Sequence, residues 1–296
     1  LLYCLSAKSF LHFCQHNLVI RREVNDRSGE AITLGSFGNI YETLGRNEKA
    51  LEYYEQSLVI WHDVKDRRGA AIMLDGLSRI YSTLSQYEKA IALSEQSLTI
   101  ARELKDRTGE GSVLRSLATI YSDWGRYEKA LEYYEQALVI LREIKNREKE
   151  GYTLIDLGIA YTRLGQDEKA ITLSEQSLAI SRELKDRRLE QSALSFLGRA
   201  ESGRGNLALS RSYYEEWLAI AEWLRNEAHS PESRAAFLAA RQISYQRYTD
   251  VLMRLHKAEP NRGLAALAVE TSERQRARSL LDLLAESRAD LRQGVD

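Results

Sequence analysis

Arg79, Arg115 and Arg199 carry the side chains of this sequence best suited to recognition. A guanidinium can fork onto a carboxylate with two parallel hydrogen bonds, so the three could hold acidic side chains or a peptide carboxylate. Asn39 could bond a peptide backbone, since an amide both donates and accepts. Ile155 and Ile159, with Tyr152 nearby, would offer an apolar patch. Asp75 stands four residues before Arg79, and the two could instead satisfy each other on one helix, at about a few tenths of a kcal/mol.

Covalent and metal chemistry have less to draw on. Cys4 and Cys14 are too few for a disulfide scaffold, and His12, His16, His62, His229 and His256 show no metal spacing such as H-E-x-x-H. The i,i+4 pair His12 and His16 near Cys14 reads as chance on a helix surface. A reducing, cytoplasmic setting is expected, with no catalytic residue, no metal and no cofactor. The formal net charge is −1, from 42 basic and 43 acidic residues. That balance supplies no single-sign field for nucleic acid or an anionic membrane. No apolar run reaches the ~18–20 residues of a membrane span. The apolar opening, Leu1 to Ala7, is stopped by Lys8 and lacks the preceding positive charge of a signal peptide. The sequence starts without Met and is read as a piece of a longer product.

The elements that must position these residues follow a ruler of 40. Glu-Lys-Ala recurs at 48–50, 88–90, 128–130 and 168–170. Tyr41, Tyr81, Tyr121 and Tyr161 share one column, as do Leu58, Leu98, Leu138 and Leu178, and Asp26, Asp66, Asp106, Asn146 and Asp186. A fixed period of this size means stacked supersecondary units. Leu51 to Gln56 returns at Leu131 to Gln136, and Leu93 to Leu98 at Leu173 to Leu178, so an 80-residue pair is the duplicated unit.

Each repeat reads as two helices. Leu34, Phe37, Gly38, Tyr41 and Leu44 form a helical stripe, and Gly45, Gly125 and Gly165 end that first helix. The second carries Ala50, Leu51, Tyr54, Leu58, Trp61 and Val64. The Asp/Asn column is expected to cap the next first helix. Small residues at Gly38 and Ala50 would let the paired helices approach closely, and the tyrosine column is expected to fill the core. With two prolines in 296 residues, the chain is expected to be all-α. A further stripe on each first helix is left over from packing: Gly35, Asn39, Glu42; Asp75, Arg79, Ser82; Arg115, Thr119, Ser122; Ile155, Ile159, Thr162; Ser195, Arg199, Ser202. It varies between copies while the packing columns do not.

Past His229 the period is gone. Pro231 is expected to open a helix reaching Lys257, Pro260 to Gly263 to turn, and a last helix to run from Leu264 to Leu291. Arg274, Arg276 and Arg278, interleaved with Glu270 and Glu273, read as a solvated helix face. Trp217 and Trp223 are expected to pack against these tail helices.

The block Tyr-x-x-Leu-Gly-x-x-Glu-Lys-Ala-Leu-x-Tyr-Tyr-Glu-Gln-Ala-Leu resembles the tetratricopeptide repeat, with Tyr121, Gly125, Ala130, Tyr134 and Ala137 on its consensus positions. The length of 40 looks like the longer variety in kinesin light chains. The resemblance implies a right-handed α-α superhelical solenoid of antiparallel helix pairs with a C-terminal helical cap or linker. Its organisation would be a degenerate half-repeat over 1–29, about five repeats over 30–225 and a helical pair over 226–296. It also implies a concave groove lined by the leftover stripe, so Asn39, Asp75, Arg79, Arg115, Thr119, Ile155, Ile159 and Arg199 become the candidate contacts for a protein or peptide ligand. The chaperone-type carboxylate clamp of Lys, Asn and Arg is not reproduced. Ser233 to His256, Glu273 to Leu284 and Ala289 to Asp296 resemble the segment that joins such repeats to a caspase-like CHAT domain in bacterial, often cyanobacterial, proteins. The chain would then be a non-enzymatic sensor or recruitment arm of a larger protein. It would otherwise be the regulatory part of a caspase-like peptidase whose His–Cys dyad lies outside it, or a self-association module.

Overall fold

The computed structural model describes residues 7–227, 241–273 and 276. They form α1 (Ala7–Glu23), α2 (Arg27–Thr43), α3 (Asn47–Asp63), α4 (Arg67–Thr83), α5 (Tyr87–Glu103), α6 (Arg107–Asp123), α7 (Tyr127–Glu143), α8 (Arg147–Arg163), α9 (Asp167–Leu184), α10 (Arg187–Gly203), α11 (Leu207–Asn226) and α12 (Gln242–Ala258). The architecture is an all-α solenoid of antiparallel helix pairs with a distinct C-terminal helical segment. It divides into two compact units, α1–α8 and the residues from Asp167 onward.

The period is built at the turns. Lys65 N–H donates to His62 O at 3.1 Å and Asp66 N–H to Trp61 O at 2.9 Å, which closes α3 in a Schellman motif. The same pair of bonds recurs at Lys105/Asp106 and Lys145/Asn146. The residue that ends one helix then starts the next, because the Asp66 carboxylate accepts from Gly69 N–H at 2.9 Å. Asp26, Asp106, Asn146 and Asp186 likewise cap α2, α6, α8 and α10, as the sequence column predicts. Within pairs, Gly45, Gly125, Gly165 and Gly205 take left-handed backbone, and Ser85 does so in the copy that lacks glycine.

In the α1–α8 unit the core is the predicted stripe. Leu34, Phe37 and Tyr54 are buried, and so are Tyr41, Tyr81 and Tyr121. Tyr41 stacks on Tyr53 with centroids 5.4 Å apart, and 80 residues later Tyr121 stacks on Tyr133 at the same distance. The duplicated pair is thus visible in the packing. A Cβ on Gly38 would come within 2.5 Å of the Tyr54 ring, so glycine sets how closely α2 and α3 approach. Two expected core positions differ. Leu44 is 42% exposed, because it follows the last turn of α2 as its C-cap, and Tyr161 is only half-buried.

A column not singled out in the sequence also holds the pairs together. Glu30, Glu110, Glu150 and Glu190 are buried, and each accepts from two arginines. One arginine ends the preceding helix and one opens the glutamate's own. Glu110 takes Arg102 Nε at 2.9 Å and Arg107 Nη1 at 2.6 Å. Burial would raise the Glu110 carboxyl, but the two guanidinium hydrogen bonds outweigh it and hold it below its ordinary value. In the second copy Ala70 replaces the glutamate and His62 replaces its arginine, so acceptor and donor are lost together.

In the second unit, Tyr245 of α12 meets the Trp217 ring edge-on at 5.0 Å, and Tyr248 lies 6.0 Å from Tyr214. Trp217 therefore packs against the tail as expected, whereas Trp223 is 51% exposed. Pro260–Arg262 forms a 3-10 turn ending at Gly263 in the left-handed region, and helix resumes over 264–273. Cys4, Arg274, Arg278, the Pro231-led helix start and the end of the last helix lie outside the described residues.

Candidate functional site

The candidate surface in the α1–α8 unit is carried by α2, α4, α6 and α8, which touch one another across successive repeats. Their contact is polar and specific. Arg79 of α4 reaches back to Glu42 of α2, with Nε 2.9 Å from Oε1 and Nη2 3.0 Å from Oε2, while its Nη1 donates to Asp75 at 2.7 Å. Arg115 of α6 reaches forward to Asp156 of α8 at 2.9 Å through Nε. Ser82 Oγ lies 3.3 Å from Asp123. These residues fasten first helix to first helix.

Two tyrosines from the second helices join the ladder. The Tyr54 hydroxyl lies 2.6 Å from Glu42 Oε2 and 2.7 Å from Asn39 Oδ1. A phenol has one proton to give, so it donates to one of them. Burial, with Glu42 beside it, pushes the Tyr54 hydroxyl far above its usual range. The Tyr134 hydroxyl sits 3.1 Å from Thr119 Oγ1 and is also raised, chiefly by burial. Burial pushes the Asp75 and Asp156 carboxyls up, against the pull of Arg79 and Arg115 respectively. For Arg79 burial works the other way, but its bonds to Glu42 and its charge pairing with Asp75 keep it firmly protonated.

The candidate contacts therefore divide. Arg79, Asp75, Arg115 and Thr119 make intramolecular bonds, and the two arginine side chains stay 38% exposed. The expected Asp75–Arg79 pair within one helix is present, and Glu42 adds to it. Ile155 is 7% exposed and offers no apolar patch, whereas Ile159 is half-exposed. Asn39 is exposed. In the second unit, the Arg199 guanidinium lies 4.7 Å from the centre of the Phe196 ring. Its stripe is partly covered by the tail: Ser244 of α12 is 2.9 Å from Ser195, and Arg254 Nη1 donates to Ser202 Oγ at 2.8 Å.

The physical reason is one of angle. At 100° per residue, positions 35, 42, 75, 115 and 155 lean toward the neighbouring first helix. The exposed positions beside them are Ile32 and Asn39 on α2 and Ile72 on α4. Ile32 and Ile72 are 60% and 59% exposed, in one column 40 residues apart. The repeat ruler already places these two isoleucines together, and they share a helical line with Asn39, but the candidate stripe begins three residues later, at 35 and 75.

Among the described residues no three or more His, Cys, Asp or Glu side chains come together as a metal site. His12 and His16 are exposed. Cys14 is buried, and burial pushes its thiol up, away from the reactive thiolate. No helix of the described residues is long and apolar enough to cross a membrane.

A family model described as tetratricopeptide repeat matches residues 30–103, 69–143, 109–183 and 150–222. No curated protein matches by sequence. Among solved structures, BtubC (BKLC) from P. vanneervenii is 22% identical, covering 79% of this chain and 89% of its own, with a TM-score of 0.62. A signal transduction ATPase with numerous domains and a tetratricopeptide repeat sensor, from Pyrococcus horikoshii, is 16% identical over 98% of this chain and 47% of its own, with a TM-score of 0.63. A Rap protein complexed with Competence and Sporulation Factor is 16% identical over 90% of this chain and 73% of its own, with a TM-score of 0.62. At these identities the likeness is one of fold.

Proposed function

The chain belongs to the tetratricopeptide repeat family, and we propose that this interaction module docks a protein or peptide segment on the exposed face of α2 and α4 through apolar anchors, with its arginines holding the repeats in place. The observation that carries this reading is the exposure of Ile32 and Ile72, in register on successive first helices. The exposed amide of Asn39 lies between them and the helix end, where it can bond a partner's backbone. A face held rigid by ion pairs between repeats loses little freedom when a partner settles on it, and that preserves affinity. The Rap protein seen with Competence and Sporulation Factor is a ligand-bound example of a similar fold.

A displayed-peptide library selected on the full chain tests this. For a selected peptide, the double substitution Ile32→Glu, Ile72→Glu is expected to weaken binding by about tenfold or more, with unchanged helical circular dichroism. Unchanged affinity would place the docking surface elsewhere. A role as the recruiting arm of a protein with a caspase-like effector rests on the resemblance of the C-terminal segment alone, and the coding sequence beyond Asp296 decides it.

A further inference from the structure

One position in the repeat is filled differently in every copy of the α1–α8 unit. Over the third residue of each first helix lies a side chain from the preceding second helix. In the first copy Arg21 lies over Gly29, and in the second the Trp61 ring lies over Gly69, so close that a Cβ there would meet it at 2.3 Å. In the fourth copy the pair is Leu141 and Lys149. Only in the third are both members small: Ala101 stands over Gly109, its Cβ 3.6 Å from where a glycine Cβ would be, with the capping Asp106 carboxylate nearer at 3.1 Å. A pocket of about 300 Å³ opens there, with Ala71, Ile72, Leu104 and Val113 on its apolar walls.

Besides Lys149, three charged residues line the wall or rim. Arg68 pairs with Asp106 at 3.0 Å, and Asp75 Oδ2 with Arg79 at 2.7 Å, while the buried Asp75 Oδ1 has no hydrogen-bond partner among the described residues. Lys149 is different. Its Nζ donates to the neutral Ser112 hydroxyl at 2.5 Å and forms no ion pair among the described residues. The previous copy has glycine where Lys149 stands, so the cation is specific to this pocket.

We propose that this pocket binds a small aryl carboxylate from solution, its ring occupying over Gly109 the place that the Trp61 indole holds over Gly69, and its carboxylate on Lys149. The internal tryptophan is the gauge of shape: the same scaffold, one repeat earlier, accommodates a bicyclic aromatic ring on the same glycine. A mostly apolar pocket of this size with one convergent cation is a small-molecule site in its general character. The proposal stands apart from the docking reading above. Ile72 borders both surfaces, so Ile32→Glu and Ala101→Trp are the variants that separate them.

The test uses the full chain with indole-3-acetate and its neutral counterpart indole-3-acetamide, followed by ligand-observed NMR and calorimetry. The acid is expected to bind saturably, and the amide about tenfold more weakly, as for loss of one charge-assisted hydrogen bond. Lys149→Gln should bring the acid down to the level of the amide and leave the amide unchanged. Ala101→Trp should abolish binding of both, since it writes the second copy's residue into the third. Ala101→Leu, which writes in the fourth copy's residue, should weaken both and serves if the tryptophan variant folds poorly. Absence of saturable binding to the unmodified chain would overturn the proposal. So would equal binding by the unmodified chain and both Ala101 variants. Equal affinity for acid and amide would overturn the role of Lys149. None of these results touches peptide docking at Ile32, so the two readings fail separately.

Discussion

Arg79 shows how one side chain can serve the stack at the expense of the surface. It holds Glu42 of the preceding first helix and Asp75 of its own, and Asp75 is deep enough that burial already raises its carboxyl. Truncation would strand two carboxylates at once. Arg79→Ala is therefore expected to destabilise the chain by about 2 kcal/mol, the scale of hydrogen bonds to charged groups, measured by urea unfolding. A midpoint unchanged within error would show that the pairs contribute nothing. Lysine should restore only part of the loss, because an ammonium lacks the fork that spans both Glu42 oxygens. The i,i+4 partner of Arg79 was legible in the sequence, since local helix geometry is enough to find it. Glu42 was not, although it stands in the column of Ser82 one repeat earlier, because that contact depends on how one first helix is offset against the next. Ile155 was misjudged for the same reason: its position leans into the neighbouring helix.

At the scale of the element, the turns carry the period and also some strain. Lys65, Lys105, Lys145 and Lys185 adopt left-handed backbone with φ of 59°, 53°, 54° and 55°. A side chain with a Cβ costs about 1 kcal/mol or more in that region. Lys105→Gly is expected to raise stability by about 1 kcal/mol, because the gain in native fit exceeds the added freedom of the unfolded chain. Thermal unfolding followed by circular dichroism checks it, and a lower melting temperature would mean the lysine makes a compensating contact. The capping aspartates and the breaking glycines were readable because Asp before a helix and Gly after one are mechanistic signals. The left-handed lysines gave no such signal; only Asn25, in the same column, has a side chain that commonly visits that region.

For the molecule as a whole, stability in a repeat array is close to a sum over units and their interfaces. Deleting residues 67–106 removes α4 and α5 and joins Asp66 to Arg107. Asp66 would then cap α6, and Trp61 would lie over Gly109 as it now lies over Gly69. The shortened chain is expected to keep its helical signal per residue and a cooperative melt. Deleting 67–86 removes α4 alone, takes from α5 its pair partner and from α3 one of its two neighbours, and should abolish cooperativity. Equal behaviour of the two deletions would refute the 40-residue unit as the folding module. The array was legible from recurrence alone, and the tail only where Trp217, Tyr245 and Tyr248 announce an aromatic contact. The exchange of Trp61 for Ala101 carries no signal of that kind, because recurrence marks only the columns that stay constant.

That exchange has a bearing on errors of assembly. Near-identical helix pairs invite a chain to dock the wrong copy on its neighbour during folding, or to trade copies with another chain. The indole of Trp61 seats on glycine, and would collide with Lys149 or Leu189 if those copies came to lie beneath it. A buried glutamate brought next to His62 would lose one of its two arginines. The irregular second copy thus accepts the glycine-bearing copies and rejects the fourth and fifth, and the array keeps its order in part because its units are not quite alike.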